Sequence, residues 1–164
     1  MVSFTRVAAS AAHAAASSKA MRILALDYGR RHIGVAISDE LGVTAQPLAA
    51  LERKNRREDL RRLREVVKKN QAGLIIVGLP LHLSGKRGEM AAEAEQFAAR
   101  VQKELGLPVV MRDERLTTWE AEEMAKESRS AKSADLDSLA AAILLREYLD
   151  EERAREKSDR PIDT

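Results

Sequence analysis

From Met21 onward the chain alternates short apolar runs with charged runs whose apolar positions recur at helical spacing. "RILALDY" and "HIGVAIS" are rich in strand-forming residues and separated by a Gly-containing turn, which predicts an antiparallel hairpin. "TAQPLAALE" predicts a third strand, and Pro47 puts it at an edge or a bulge. In "REDLRRLREVVKKN", Leu60, Leu63, Val66 and Val67 share one stripe while Arg and Lys fill the rest, so this is an amphipathic helix, with Asn70 as its stop. "GLIIVGLP" is too apolar for a half-exposed strand and belongs inside a sheet covered on both faces. After a loop with Pro80, Gly85 and Gly88, the residues Met90, Ala94, Phe97, Ala98, Val101 and Leu105 mark a second helix, closed by Gly106 with Pro108 beyond.

"LPVVMRDE" predicts a further strand. Thr117 and Glu120 then form a T-x-x-E capping box, so a helix opens after "DERLT" and fades in "ESRSAKSAD". A last helix carries Leu136, Leu139, Ala140, Ile143 and Leu144 on its apolar side. The order is βββαβαβαα. A meander followed by βαβ crossovers implies an α/β protein with a mixed five-stranded sheet and helices on both faces. One domain is expected over residues 21–150, with 151–164 as a charged, solvated tail. Residues 1–20 are Ala/Ser-rich and acid-free, which reads as a disordered or non-native extension ahead of Met21, with a targeting segment as the alternative. No run approaches the roughly eighteen apolar residues of a membrane span, so no membrane partner is expected.

Composition narrows the chemistry. With 164 residues, 45% hydrophobic and 33% charged, the chain suits a single Leu/Ile/Val/Ala core. It has no cysteine, and its three histidines lack zinc spacing, so a metal would be held mainly by oxygen. Setting aside Arg6 and Lys19 of the first twenty residues leaves 26 basic against 26 acidic residues. Nucleic-acid binding must then come from a local basic surface and not from bulk charge.

Three acidic positions ask for an explanation. Asp27 interrupts an apolar strand just before Gly29; it is either a turn residue accepting amide hydrogen bonds or a functional carboxylate. Asp113 and Glu114 close a strand, where ligands of α/β sheets gather, and the ordinary alternative is surface pairing with Arg112 and Arg115. Asp137 stands in the first turn of an apolar helix, where favourable interaction with the helix dipole would also explain it. Asp135 suits that capping role better, which leaves Asp137 for another task. Together, Asp27, Glu114 and Asp137 can converge as oxygen ligands for Mg²⁺ or Mn²⁺, ions suited to activating water against a phosphodiester.

"LDYGRRHIGVAISD", "IIVGLPLHLSG", "DERLTT" and "LDSLAAAILLREYL", in this order and spacing, resemble the YqgF/RuvX family of pre-16S rRNA nucleases, also described as Holliday-junction-resolvase-like. The resemblance covers about residues 21–150. It implies an RNase H-like fold and a cytoplasmic, divalent-metal-dependent nuclease acting on the 5′ end of the 16S rRNA precursor during ribosome biogenesis. By motif it assigns Asp27, Glu114 and Asp137 as catalytic and metal-binding residues. The family often has a Lys-Arg pair before Ile-Gly where this chain has Arg31-His32, which puts the basic contact there in question.

Positive charge sits in each loop near the expected site: Arg30 and Arg31, Lys86 and Arg87 in "SGKRGE", and Arg115. These are candidate contacts to substrate phosphate, with solubility as their ordinary alternative. Aromatics are too scarce for a stacking platform; Tyr28 and Trp119 are the candidates near the site. The partner expected is nucleic acid, a ribosomal RNA precursor, with the protein a monomer or weak homodimer. Cleavage of branched DNA at the same site and a non-catalytic RNA-binding module in ribosome assembly are the alternatives. Actin-like ATPases share an early Asp-x-Gly loop but need two lobes, for which this chain is too short.

Overall fold

In a computed structural model of the chain, residues 21–79, 88–113 and 133–161 are described. Five strands form one sheet: β1 (Arg22–Tyr28), β2 (His32–Ser38), β3 (Ala45–Glu52), β4 (Ala72–Leu79) and β5 (Val109–Asp113), in the order β3-β2-β1-β4-β5. The first three strands pair antiparallel, and β4 and β5 add in parallel beyond β1. The mixed sheet read from the element order is therefore what forms. β1 is central, β4 is interior as its unbroken apolar run requires, and β3 takes the edge that tolerates Pro47.

Among the described residues three helices cover the sheet: α1 (Arg56–Asn70), α2 (Glu89–Leu105) and α3 (Ser133–Ser158). The side chain of Asn55 caps α1 by accepting from the Glu58 N–H at 2.9 Å, and α2 ends on Gly106 at φ 66, where only glycine turns left-handed without strain. The helix expected to open at Thr117 and the loop around Gly85 lie outside the described residues, as does the segment 1–20.

Strand alternation sorts the core into two layers. Leu24, Leu26 and Tyr28 of β1 pack beneath α1 and α2 with Leu63, Phe97 and Val101. Ile23 and Ala25 face the other way, against Ala141, Leu145 and Tyr148 of α3. The apolar side expected of α3 is buried, but in two parts. Leu144 does reach the sheet layer, but Ala140 and Ile143 form a separate buried cluster with Leu139. From Ala140 to Leu145 the helix is buried all round, so apolar periodicity could not say which side meets the sheet. The helix also runs on through Ser158, so the first eight residues of the expected tail are helical, with Arg153–Asp150 and Arg155–Glu152 pairs at i,i+3 spacing.

Candidate active site

The sheet face that carries Ile23 and Ala25 continues, at the last step of β1, with half-buried Asp27. Directly across on β2 stands Gly34. A Cβ built on Gly34 would lie 2.0 Å from the carbonyl oxygen of Asp137 and 2.8 Å from the amide nitrogen of Ser138. Because α3 starts at Ser133, Asp137 stands in its second turn and not, as expected, in its first, and that turn rests its backbone on β2 at the one residue without a side chain. Asp27 and Asp137, from opposite ends of the domain, both border Gly34.

Ser138 fastens this contact. Its hydroxyl is buried and accepts a hydrogen bond from the Val35 N–H at 3.1 Å, where the β2–β3 register shifts between Ile33 and Val35. A buried amide at a sheet irregularity needs such a partner. No role for Ser138 follows from the local pattern. Its signal was a hydroxyl one residue inside an otherwise apolar helical run.

Asp137 is half-buried, and burial pushes its carboxyl above the ordinary aspartate range, while His32 pulls the other way. His32 and Gly34 share one face of β2, so the histidine borders the same pair of acids. The donor set is two oxygens of the hard type, on rigid elements, one of them desolvated; this suits a divalent cation such as Mg²⁺ or Mn²⁺. Glu114 lies outside the described residues, and among those described no group of three metal-ligating side chains gathers.

The strand that leads to Glu114 is anchored. Arg112 donates two hydrogen bonds of 2.7 Å to the Glu151 carboxylate on α3, with its guanidinium 5.7 Å from the centroid of the Tyr148 ring. Arg112 thus makes a contact 39 residues along the chain. The Arg112 bond holds the Glu151 carboxyl below its usual range. This stabilisation is present above the unfolded glutamate value of about 4.3 and is lost as pH falls through the lower folded value. Glu151→Gln is expected to cost about 1 kcal/mol at pH 7, discounted for the exposure of Glu151, with the gap from wild type closing in acid on thermal melts.

The basic residues divide. Arg30 is exposed, and its guanidinium meets Glu93 at 2.9 Å and Glu89 at 3.6 Å on α2. Arg31 is exposed in the turn before β2. Lys86, Arg87 and Arg115 lie outside the described residues, as does Trp119. Tyr28 is no stacking platform; it packs on Phe97 at 5.2 Å between centroids, donates to Glu93 and accepts from Arg53 at 2.8 Å. Arg53 continues to buried Asp59 at 3.2 Å, a network whose signal was an acid on the apolar stripe of α1, four residues before Leu63.

A β3-β2-β1-β4-β5 mixed sheet covered by helices defines an α/β protein of the RNase H-like fold. The structure of T. thermophilus RuvC in complex with Holliday junction substrate shares this fold, with TM-score 0.53 at 18% identity over 87% of this chain and 99% of that one. The chain belongs to the RuvX family, described as Holliday junction resolvase, whose model matches residues 21–151. It is 47% identical over 132 residues to a protein of Koribacter versatilis named "Putative pre-16S rRNA nuclease", covering 79% of this chain and 86% of that one. A protein of the same name from Geobacillus kaustophilus is 44% identical over 138 residues, 81% of this chain and all of its own. Among the described residues no helix is long and apolar enough to cross a membrane.

Proposed function

We propose that this protein hydrolyses phosphodiester bonds in RNA, acting in the cytoplasm on the 5′ end of the 16S rRNA precursor, and that residues 21–150 carry the reaction. The observation that supports the reading is the seating of the Asp137 backbone on Gly34, the β2 residue paired with Asp27 of β1. Asp27, Asp137 and Glu114 would hold Mg²⁺ or Mn²⁺, with Glu114 supported by its place directly after Asp113, where β5 ends level with Leu79 of β4. A divalent ion bound there supplies an activated water and neutralises charge on the phosphate. The protein's own part is to fix the carboxylates: Asp27 on the middle strand, and Asp137 on a helix seated by Gly34 and Ser138. Arg31, Lys86, Arg87 and Arg115 would meet substrate phosphates. Arg30 would join them by exchanging Glu93 for phosphate.

The choice of RNA rests on the names of the relatives. The family's description favours a second reading, cleavage of branched DNA, which the same chemistry would serve because metal-assisted hydrolysis does not itself distinguish the sugars. The test is cleavage of a 16S precursor RNA and a four-way DNA junction with Mg²⁺, with Mn²⁺ and with EDTA, by wild type and Asp137→Asn. The expected result is metal-dependent cleavage of the RNA by wild type alone. Preference for the junction would install the second reading. RNA binding with no cleavage under any condition would leave a non-catalytic binding module.

A further inference from the structure

The net charge of +2 conceals a strong division. Residues 53–70, which comprise α1 and the link into it, hold nine Lys or Arg against three Asp or Glu, whereas α3 holds seven acids against four bases. The two lie on opposite faces of the sheet, since Leu63 of α1 joins the layer of Phe97 and Val101 while α3 covers Ala25 and Ala36. Among the described helices α1 is basic and α3 acidic, while α2, beside α1, holds four acids against two bases; the candidate carboxylates are on the α3 side.

The acids of α1 do not neutralise its bases. Asp59 is buried with Arg53, and Glu58 and Glu65 both bind the single side chain of Arg61. Arg64 donates to the Glu104 carbonyl at 2.9 Å, tying the helix to α2. Arg56, Arg57, Lys68 and Lys69 are exposed, and among the described residues none of them has an ion-pair partner. They form two clusters at the ends of the helix, about 18 Å apart at 1.5 Å per residue. Arg57, Arg61, Arg64 and Lys68, at i, i+4, i+7 and i+11, make one ridge between the clusters. Like charges so arranged repel one another, and a polyanion would relieve that repulsion.

We propose that the outer face of α1 is a docking surface for the phosphate backbone of an RNA helix; this extends the reading of RNA as substrate to a second contact, on the far side of the sheet from Asp27 and Asp137. No aromatic side chain occurs in α1, so bases are not stacked there, and a rigid row of cations fits the fixed phosphates of a duplex better than a flexible strand. Because the sheet separates the two contacts, the ligand is a folded RNA that reaches around the protein, and not one short duplex seated at the carboxylates.

The test is equilibrium binding of the full chain to a labelled RNA duplex of about 20 base pairs, in EDTA so that no cleavage intervenes. Arg56→Gln, Arg57→Gln, Lys68→Gln and Lys69→Gln combined are expected to weaken binding about tenfold or more near 100 mM salt, and to flatten the dependence of log K on log salt by about three to four. The double variant Arg57→Gln, Lys68→Gln should show about half that slope change. A control with Arg153, Arg155 and Lys157 changed to Gln on α3 should stay within about twofold of wild type. Undiminished binding by the quadruple variant, failure of wild type to bind the duplex, or tighter binding of wild type to phosphatidylserine vesicles would each overturn the proposal. A protein that cleaves nothing yet shows the α1-dependent loss would refute the catalytic reading and support this one.

Discussion

Gly34→Ala is expected to destabilise the metal-free protein by about 3 kcal/mol, a fall of roughly 6–12 °C in melting temperature for a chain of this size. The added methyl would sit 2.0 Å from the Asp137 carbonyl oxygen and 2.2 Å from its carbonyl carbon, atoms that cannot swing aside as a side-chain tip can. Either α3 lifts from β2 or the strand bends, and in both cases the Ser138 bond to Val35 is stretched. Gly73→Ala is the matched control. Its methyl would also meet an atom closely, 2.3 Å away, but that atom is the sulfur of Met21 on a flexible side chain. Equal melting temperatures for the two variants would show that α3 is not seated on Gly34 in solution.

How far the sequence carried follows from the same contact. Local patterns identify elements whose signal is local: the Gly106 stop, the Pro47 edge, the unbroken apolar run of β4 and the hairpin around Gly29 are all where the residues put them. Asp27 and Asp137 could be singled out because each breaks an apolar pattern. What the chain could not reveal is contact across the fold. Gly34 in "HIGVAIS" looks like a weak strand residue, and only the arrival of α3 explains it. Arg30 reads as a free cation in a turn, yet Glu93 claims it from α2. Arg112 has acids beside it in sequence, and its bond to Glu151 on α3 could not be read from them. The α1 charges were visible letter by letter, but the division across the sheet needed the face on which each helix packs.

Asp137→Asn is expected to abolish metal-dependent cleavage, a loss of about a thousandfold or more, while leaving the metal-free fold at least as stable as wild type at neutral pH. These opposite effects share a cause. Burial raises the Asp137 carboxyl above its unfolded value, so keeping it charged opposes folding at every pH above the raised value. That penalty fades as pH falls through the raised value and is gone below the unfolded value of about 3.9. An amide of the same shape never carries it, so the variant's melting temperature should equal or exceed that of wild type near pH 7 and lose any advantage in acid. Adding Mn²⁺ should raise the melting temperature of wild type and leave Asp137→Asn nearly unmoved, because binding to the folded state alone is what stabilises. Asp27→Asn should lose cleavage and the Mn²⁺ response in the same way. A variant that is inactive because it is unfolded would melt lower without metal, so the two melts separate a lost ligand from a lost fold. If both asparagine variants cleave as wild type does, the carboxylates at Gly34 serve structure, and the active site of this nuclease lies elsewhere.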